Sequence, residues 1–253
     1  MSENILGYQV FSDDLEACIT EISRVLHHQG GRSHWAACFN PHSYTVASSN
    51  DRFSTALKSA DWLVADGIGI VIGSTILGGK IKSRTTGSDI FLGVMRALNH
   101  SGGRAFFLGA SEETLEALVR QVSVDFPAVD VAGTFSPPFK DDFTDQDVDA
   151  MVTAVNASQS DVLWVGMTSP KQDLWIHKNL ERLDVKFAAG IGAVFDFYVG
   201  RVKRSHPWFQ KVGLEWLPRL MQEPRRLWRR VFLSGPYFLW QVLKALPAIR
   251  TSR

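Results

Sequence analysis

The residues best suited to chemistry stand at the ends of predicted strands, beginning with Asp66. This aspartate directly follows the apolar run Trp62–Ala65 and precedes Gly67 and Gly69. A carboxylate in that position could cap a following helix by accepting backbone N–H bonds, or it could reach into a cleft as a general base. Because the nearby glycines permit close approach of a ligand, the sequence supports both roles and leaves the choice open.

Two further turns combine a cation with a helix start. Arg84 lies shortly before Ser88, which resembles an N-cap, and a helix start beside an arginine suits a phosphate or diphosphate. Lys171 and Gln172 follow Pro170, which is typical of a first helical turn, so the lysine could meet a phosphate and the glutamine could bind a sugar. The competing interpretation in both cases is an ordinary helix start whose first turn faces solvent.

Glycine-rich and polar turns complete the set of candidate ligand contacts. Asn40 follows the strand-like run Trp35–Phe39, and Gly192 follows the last such run of the chain. Gly109 opens a turn before a helix that begins near Glu112, and this turn resembles half of a phosphate-binding loop without forming a complete GxGxxG pattern. Such turns also occur where no ligand binds, so the pattern alone does not decide between the two.

Alternating strands and helices must position these turns. Six short apolar runs predict strands: Trp35–Phe39, Trp62–Ala65, Ala105–Leu108, Val129–Gly133, Val162–Val165 and Val185–Ala189. Four amphipathic stretches predict helices between them: Ser88–Asn99, Glu112–Val124, Asp145–Ala157 and Lys171–Leu183. This alternation predicts an α/β fold with a Rossmann-like, mostly parallel sheet that helices cover on both faces. Ligands of such sheets bind beyond the carboxyl ends of the strands, so the turns named above should converge on one rim.

Several classes of protein lack their sequence signatures in this chain. Only two cysteines occur, Cys18 and Cys38, which argues against a disulfide framework and a cysteine-built zinc site and favours a reducing cytosol. No HExxH, GxSxG, P-loop or complete dinucleotide fingerprint is present, which argues against zinc enzymes, serine hydrolases, ATPases and dinucleotide enzymes. The N-terminus lacks a signal-peptide pattern, and the longest apolar candidate, 231–246, is interrupted by Pro236 and Lys244, so no transmembrane helix is predicted.

The charge of the chain changes sign after about residue 200. Residues 1–200 contain 15 Lys and Arg against 24 Asp and Glu, whereas residues 201–253 contain 12 against 2, together with four of the eight tryptophans. We therefore predict an α/β catalytic domain at 1–200 and a basic, helical, tryptophan-rich appendage at 201–253. Basic and aromatic side chains together suit an anionic membrane surface. A helical pair packed on the domain and a nucleic-acid site are the alternatives, and the acidic remainder of the chain disfavours nucleic acid.

Seven segments between residues 35 and 232 share the order and the residues of one known family. They are Asn40–Ser43, ADGIGIV at Ala65–Val71, RTTGSD at Arg84–Asp89, FFLGA at Phe106–Ala110, VGMTSPKQDLWI at Val165–Ile176, the long segment Gly190–Leu220, and QEPRRLWRR at Gln222–Arg230. On these motifs the chain resembles the bacterial WecG/TagA/CpsF glycosyltransferases, glycosyltransferase family 26.

The resemblance implies transfer of a hexose from a UDP-sugar to a polyprenyl-diphosphate-linked sugar, with inversion at the anomeric carbon of the donor. The donor sugar is not readable: N-acetylmannosamine, its uronic acid and glucose all remain open. The implied enzyme is cytoplasmic, bound peripherally to the inner face of the plasma membrane, and serves cell-surface polysaccharide synthesis. A subunit contact through the tail is also open. The alternatives are a UDP-binding membrane-docking module without catalysis and a nucleotide-sugar epimerase, which the missing dinucleotide fingerprint disfavours.

The resemblance also implies roles for single residues. Asp66 matches the proposed general base of the family, which would deprotonate the acceptor hydroxyl. The predicted substrate-binding residues are Asn40, Arg84 and Gln172, which match pocket positions of the family, and Gly109, Lys171 and Gly192, which come from the strand-end turns.

Arginines are expected to neutralise the charge of the leaving group. Arg225 and Arg226 match tail arginines thought to close over the active site and stabilise the departing diphosphate. The family has no DxD metal motif, so the resemblance implies that no metal and no other cofactor is needed. One departure concerns Cys38, because the family often has threonine at this position. A role for that threonine hydroxyl is therefore in doubt in this chain.

Overall fold

The computed structural model describes residues 1–28, 30–202, 221 and 228–251. The strands of this part of the chain are β1 (Ser2–Ile5), β2 (Tyr8–Phe11), β3 (His34–Phe39), β4 (Trp62–Ala65), β5 (Arg104–Gly109), β6 (Asp130–Phe135), β7 (Val162–Gly166) and β8 (Phe187–Gly190). The α-helices of the same part are α1 (Leu15–His27), α2 (Pro41–Ala47), α3 (Asp51–Ser59), α4 (Ile68–Leu77), α5 (Gly87–Ser101), α6 (Glu112–Asp125), α7 (Asp145–Ala157), α8 (Lys171–Asn179), α9 (Val194–Tyr198) and α10 (Gly235–Thr251). A 3₁₀ turn, Leu180–Arg182, follows α8, and a π-helical turn, Arg230–Ser234, precedes α10.

Six of the described strands form one parallel sheet in the order β4-β3-β8-β7-β5-β6, and β1 and β2 pair in a separate antiparallel hairpin. The predicted α/β fold with a parallel sheet is thereby confirmed. All six predicted strands belong to this sheet, and their bounds agree with the prediction to within two residues. Because the strands run in one direction, their carboxyl ends lie along one edge. This edge carries the turns that the sequence singled out.

Helices cover both faces of the sheet, and alternate side chains of each strand enter opposite layers. Leu163 and Val165 of β7 belong to the core shared with α2, α3, α7, α8 and α10. Trp164, between them, belongs to the core shared with α1, α5, α6 and α9. A strand that is buried on both faces carries apolar side chains at successive positions, which explains the continuous apolar runs in the sequence. Each large apolar side chain buried in this way contributes about 1.5–3 kcal/mol.

Side-chain caps fix two of the helices whose first turns face the carboxyl edge of the sheet, α2 and α5. Asn40 caps α2, and Thr86 caps α5 in a reciprocal capping box with Asp89. The expectation that Ser88 caps this helix is therefore wrong, since Ser88 is already the second residue of α5 and is buried. Thr86 takes the role because Asp89, three residues later, accepts the Thr86 backbone N–H in return.

The C-terminal helix α10 packs on α2 and α4 and belongs to the main hydrophobic core. Phe238 and Val242 are fully buried in the same cluster as Ile70 of α4. Gly73 of α4 makes room for this contact, because a Cβ at that position would lie 2.8 Å from Phe238 Cε1. The part of the predicted appendage that the structure describes therefore shares a core with the α/β domain. No α-helix among the described residues has both the length and the apolarity to cross a bilayer.

Candidate active site

A cleft of about 1780 Å³ opens at the carboxyl edge of the sheet. Its lining includes six of the predicted site residues: Asn40, Asp66, Arg84, Lys171, Gln172 and Gly192. Gly109 stands next to this lining, to which its neighbours Ala110 and Ser111 belong. Arg225 and Arg226 lie outside the described residues, so their roles stay predictions.

Asp66 is held in the cleft by Asn40. The Asn40 side-chain Nδ2 donates a hydrogen bond of 3.2 Å to Asp66 Oδ2. Asn40 Oδ1 has another task, because it accepts the backbone N–H groups of His42 and Ser43 at 3.0 and 2.9 Å. The helix cap thus orients the amide so that its N–H group meets the carboxylate. A carboxylate fixed in this way suits a general base, which needs a defined distance to its substrate proton.

The interpretation of Asp66 as a helix cap is wrong. The N-cap of α4 is Gly67, and no side chain caps this helix. Gly67 has a φ of +100°, which residues with a Cβ rarely adopt, so the turn between β4 and α4 depends on a glycine. Asp66 lines the cleft instead.

Gln172 ties two strand-end turns together. Its Oε1 accepts the backbone N–H groups of Met167 and Gly192, at 3.3 and 2.9 Å. Gly190, at the end of β8, leaves the space for this side chain, because a Cβ there would lie 2.8 Å from Gln172 Nε2. The amide that the sequence assigned to sugar binding is thus only 3% exposed and shapes the cleft from within its wall.

Asp173 is a carboxyl group of the cleft that the sequence did not single out. It is only 2% exposed, and this burial raises its pKa to about 7. Hydrogen bonds from the side chains of Ser169 and Gln172 favour the charged form and limit the rise. The protonated form of Asp173 in the wall of the cleft therefore persists to a higher pH than that of an exposed aspartate.

Both acidic and cationic side chains line the cleft. Among the described residues, Arg84, Arg201 and Arg230 line it. Arg201 is tied to α6 by a hydrogen bond of 2.8 Å to Thr114 Oγ1 and an ion pair of 2.7 Å with Glu113. The first turns of α4, α5, α6 and α8 border the same space, and helix N-termini present backbone N–H groups to anions. The arrangement suits a phosphate or a diphosphate.

Comparison with known proteins agrees with this architecture. The model of the Glycosyl transferase WecG/TagA/CpsF family matches residues 3–252. The chain belongs to this family. Relatives from Bacillus spizizenii and Bacillus subtilis are 34% and 29% identical over 205 residues, which cover 81% of this chain and 77% of each relative. A relative from Staphylococcus aureus is 23% identical over 250 residues, 99% of this chain and 95% of the relative. All three are named N-acetylglucosaminyldiphosphoundecaprenol N-acetyl-beta-D-mannosaminyltransferase.

Family membership confirms the resemblance drawn from the motifs and makes the chain a glycosyltransferase. In this glycosyltransferase Cys38 lines the cleft near three carboxylates. Burial raises the pKa of the Cys38 thiol well above its usual range, and the charges of Asp66, Asp173 and Asp89 act in the same direction. A raised pKa disfavours the thiolate, which is the nucleophilic form of cysteine. Within the described residues, no group of three or more His, Cys, Asp or Glu side chains is arranged to hold a metal ion.

Lys171 links α8 of the glycosyltransferase to the loop between β6 and α7. Its Nζ donates to the backbone carbonyl of Lys140 and lies 3.7 Å from the centroid of the Phe143 ring. Burial lowers the pKa of this ammonium group, although the charge of Asp141 opposes the change. Phe139 of the same loop is fully exposed at the cleft. The lysine that was predicted to meet a phosphate thus anchors a loop that borders the cleft.

Sequence reasoning missed Asp173, Arg201 and Arg230 as parts of this cleft. The only signal for Asp173 was its place directly after Lys171 and Gln172 at a helix start. The two arginines were predicted as basic members of the appendage. No local pattern distinguishes them, because their approach to the cleft depends on packing between residues far apart in the sequence.

Proposed function

We propose that this glycosyltransferase moves a hexosyl group from a UDP-sugar to a sugar carried on polyprenyl diphosphate, with inversion at the anomeric carbon. The names of the relatives support an N-acetylmannosaminyl group as the sugar and an N-acetylglucosaminyl-diphosphoundecaprenol as the acceptor. N-acetylmannosaminuronic acid and glucose are the competing donor sugars.

The observation that carries the proposal is the Asn40–Asp66 pair in the cleft. In an inverting displacement, the acceptor hydroxyl oxygen bonds to the anomeric carbon while the bond from that carbon to the UDP oxygen breaks. Asp66 accepts the hydroxyl proton in this step, and UDP leaves with the bonding electron pair. Asn40 restricts the carboxylate to one orientation, which is the main requirement for an efficient base.

Positive groups of the cleft support a role in stabilising the departing UDP. Arg84 and Arg230 line the cleft, and the first turn of α5 presents its backbone N–H groups there. Preorganised charges of this kind act on the diphosphate as negative charge develops on its oxygen. In this proposal they, with Arg225 and Arg226, take the place of a metal ion.

The C-terminal segment supports peripheral binding to the inner face of the plasma membrane, where a polyprenyl-linked acceptor resides. Exposed apolar side chains are concentrated there: Trp228, Phe232, Leu233, Trp240 and Leu243. Ile68 and Ile72 of α4, the helix on which α10 packs, are also exposed. Amphipathic aromatic side chains among basic residues favour the headgroup region of an anionic bilayer.

The proposal is tested with the purified chain, a panel of UDP-sugars and a short-chain polyprenyl-diphosphate N-acetylglucosamine. Products are identified by mass and by anomeric NMR. We expect one donor of the N-acetylmannosamine type to give a product one sugar heavier, with inverted anomeric configuration. We expect a chelator to leave the rate within about twofold, because arginines neutralise the diphosphate.

Other outcomes contradict separate parts of the proposal. UDP binding without a product from any donor would indicate the non-catalytic docking module. Retention of configuration would exclude direct displacement by an acceptor that Asp66 deprotonates. Loss of turnover in chelator would contradict charge neutralisation by arginines.

A further inference from the structure

His42 connects the cleft to the C-terminal segment across 192 residues of sequence. Its ring Nδ1 lies 3.1 Å from the hydroxyl oxygen of Ser234. Ser234 is only 3% exposed, so water does not readily replace this partner. The sequence marked His42 as a histidine of a turn at the sheet rim, and the structure places it in the first turn of α2.

The environment of His42 keeps its imidazole ring uncharged. Burial lowers the pKa of this histidine to about 4, and the nearby charge of Arg230 acts in the same direction. At neutral pH the ring is therefore neutral, and one of its nitrogens is an acceptor. An uncharged ring can accept a hydrogen bond from the Ser234 hydroxyl, and it does not repel the nearby guanidinium of Arg230.

His42 is linked by hydrogen bonds to the surroundings of both charged groups of the proposed reaction, the base Asp66 and the cleft arginine Arg230. On one side, its backbone N–H bonds to Asn40 Oδ1, and the same amide holds Asp66. On the other side, Ser234 and Arg230 are the last and first residues of the same π-helical turn, and Arg230 lines the cleft. The His42 side chain thus joins the turn that carries a cleft arginine to the start of α2, where the cap residue Asn40 holds the proposed base.

We infer that His42 is a positioning residue, which anchors the Arg230–Ser234 turn through its hydrogen bond with Ser234 and so sets Arg230 in the cleft. This inference rests on the proposed function. His42 itself is not among the residues that line the cleft. Its effect reaches the reaction through Arg230, which meets the charge that develops on the diphosphate.

The kinetic test uses His42→Ala, Ser234→Ala, Arg230→Ala and their pairs. We expect His42→Ala and Ser234→Ala each to lower kcat about tenfold, the loss that one hydrogen bond between buried groups can produce. KM for the donor should stay within about twofold, because a leaving-group contact acts mainly in the transition state. The effects of His42→Ala and Ser234→Ala should not add, and neither should lower kcat further in an Arg230→Ala background.

Two further variants separate positioning from general damage to the fold. His42→Asn places an amide near the position of Nδ1 and should restore most of the lost kcat. His177→Ala is the matched control, since His177 Nδ1 makes a similar bond of 2.7 Å to Ser59 Oγ between α8 and α3. This control should leave kcat unchanged. Additive losses in the Arg230→Ala background, or a failure of His42→Asn to restore kcat, would overturn the inference.

Hydrogen exchange tests the anchor without any assay of transfer. Backbone amides of residues 228–234 should exchange faster in His42→Ala and Ser234→Ala than in the parent protein, and at the parent rate in His177→Ala. Unchanged exchange in the first two variants would overturn the anchor even if the enzyme were active. If no donor gave a product, the proposed function would fail, while the exchange result would still decide whether His42 holds this turn.

Discussion

Two of the carboxyl groups that line the cleft, those of Asp66 and Asp173, have surroundings that suit them to different roles. Asp66 lies at the turn after β4 and receives a hydrogen bond from Asn40, so it is held in the cleft lining. Asp173 lies in the first turn of α8, is almost fully buried, and has a pKa raised to about 7. The surroundings of Asp66 suit a general base. The surroundings of Asp173 make its ionised form unfavourable, so ionisation of Asp173 lowers the stability of the folded protein.

Replacing Asp173 should change how stability depends on pH. Because burial raises the folded-state pKa from 3.8 to about 7, the folded protein binds the proton more tightly than the unfolded chain between these values. Stability therefore falls as pH rises through this window, by about 1.4 kcal/mol per pH unit at most, and levels off above it. Asp173→Asn removes the ionisation, so its Tm relative to the parent protein should be higher at pH 8 than at pH 5.

Thermal unfolding at the two pH values checks this prediction. Asp184→Asn, at an exposed position, is the matched control for the substitution itself. An equal Tm difference between Asp173→Asn and the parent protein at both pH values would show that Asp173 does not ionise within this window.

Some residues of the cleft could be predicted from the sequence, and others could not. Asp66 and Asn40 were recognised because strand ends in a parallel sheet converge, and that rule needs only the order of elements. Arg84 was recognised because it precedes a helix start, and the two together suit a phosphate. The burial of Asp173 and the bond between His42 and Ser234 depend on tertiary packing, and neither leaves a local pattern. The cap of α5 was misassigned to Ser88 because Ser88 and Thr86 are both good capping residues.

Three helices support the side of the cleft that carries Asp66: α2, α4 and α10. Their close approach depends on two glycines of α4. A Cβ at Gly69 would lie 2.5 Å from Pro41 Cγ, and a Cβ at Gly73 would lie 2.8 Å from Phe238 Cε1. Gly69 allows the start of α4 to contact the start of α2, and Gly73 allows α10 to pack on α4.

A methyl group at position 73 should weaken the packing of α10 on α4. Gly73→Ala forces Phe238 and Val242 to move, and overpacking of this kind costs about 1–3 kcal/mol. We expect a lower Tm and faster amide exchange in α10. Gly235→Ala is the matched control in the same pair of elements, because a Cβ there meets no atom within 4 Å and alanine favours a helix. If Gly73→Ala were as stable as Gly235→Ala, the account of this contact would be wrong.

The elements differ in how well the sequence predicted them. Five of the six strands were found because burial makes them nearly continuous apolar runs, whereas the edge strand β6 has no buried side chain. The β1–β2 hairpin was missed because its four-residue strands mix exposed and buried side chains, as in Ser2–Ile5. Helix α4 has apolar side chains on every face, including exposed Ile68 and Ile72, so its periodicity is weak.

Charge is unevenly distributed along the chain. Acidic residues outnumber basic ones over residues 1–200, whereas residues 201–253 contain 12 basic and 2 acidic residues. The net charge of +1 conceals this division. The exposed apolar side chains of α10 lie in the basic part, so electrostatic attraction and apolar insertion would act on the same surface. If the proposed membrane binding holds, a lipid-linked acceptor would reach the cleft from the bilayer that this surface contacts.

Vesicle sedimentation tests this proposal for the whole molecule. The protein should sediment with anionic vesicles at low ionic strength and be released at high salt, because screening weakens the attraction. The double variant Trp240→Asp, Leu243→Asp should bind less, since it places charge where apolar groups would insert. Val124→Asp, at an exposed valine of α6, is the matched control and should bind as the parent does. Sedimentation that is indifferent to salt and to the double variant would exclude this surface.

The central claim is that Asp66 serves as the base of a sugar transfer in this cleft, and Asp66→Asn tests it most directly. The amide keeps the size of the side chain but cannot accept the proton, so the transfer rate should fall by about 100-fold or more. The Kd of UDP, measured by calorimetry on the same sample, should stay within about twofold of the parent value. Near-normal turnover of Asp66→Asn with the preferred donor would contradict the account.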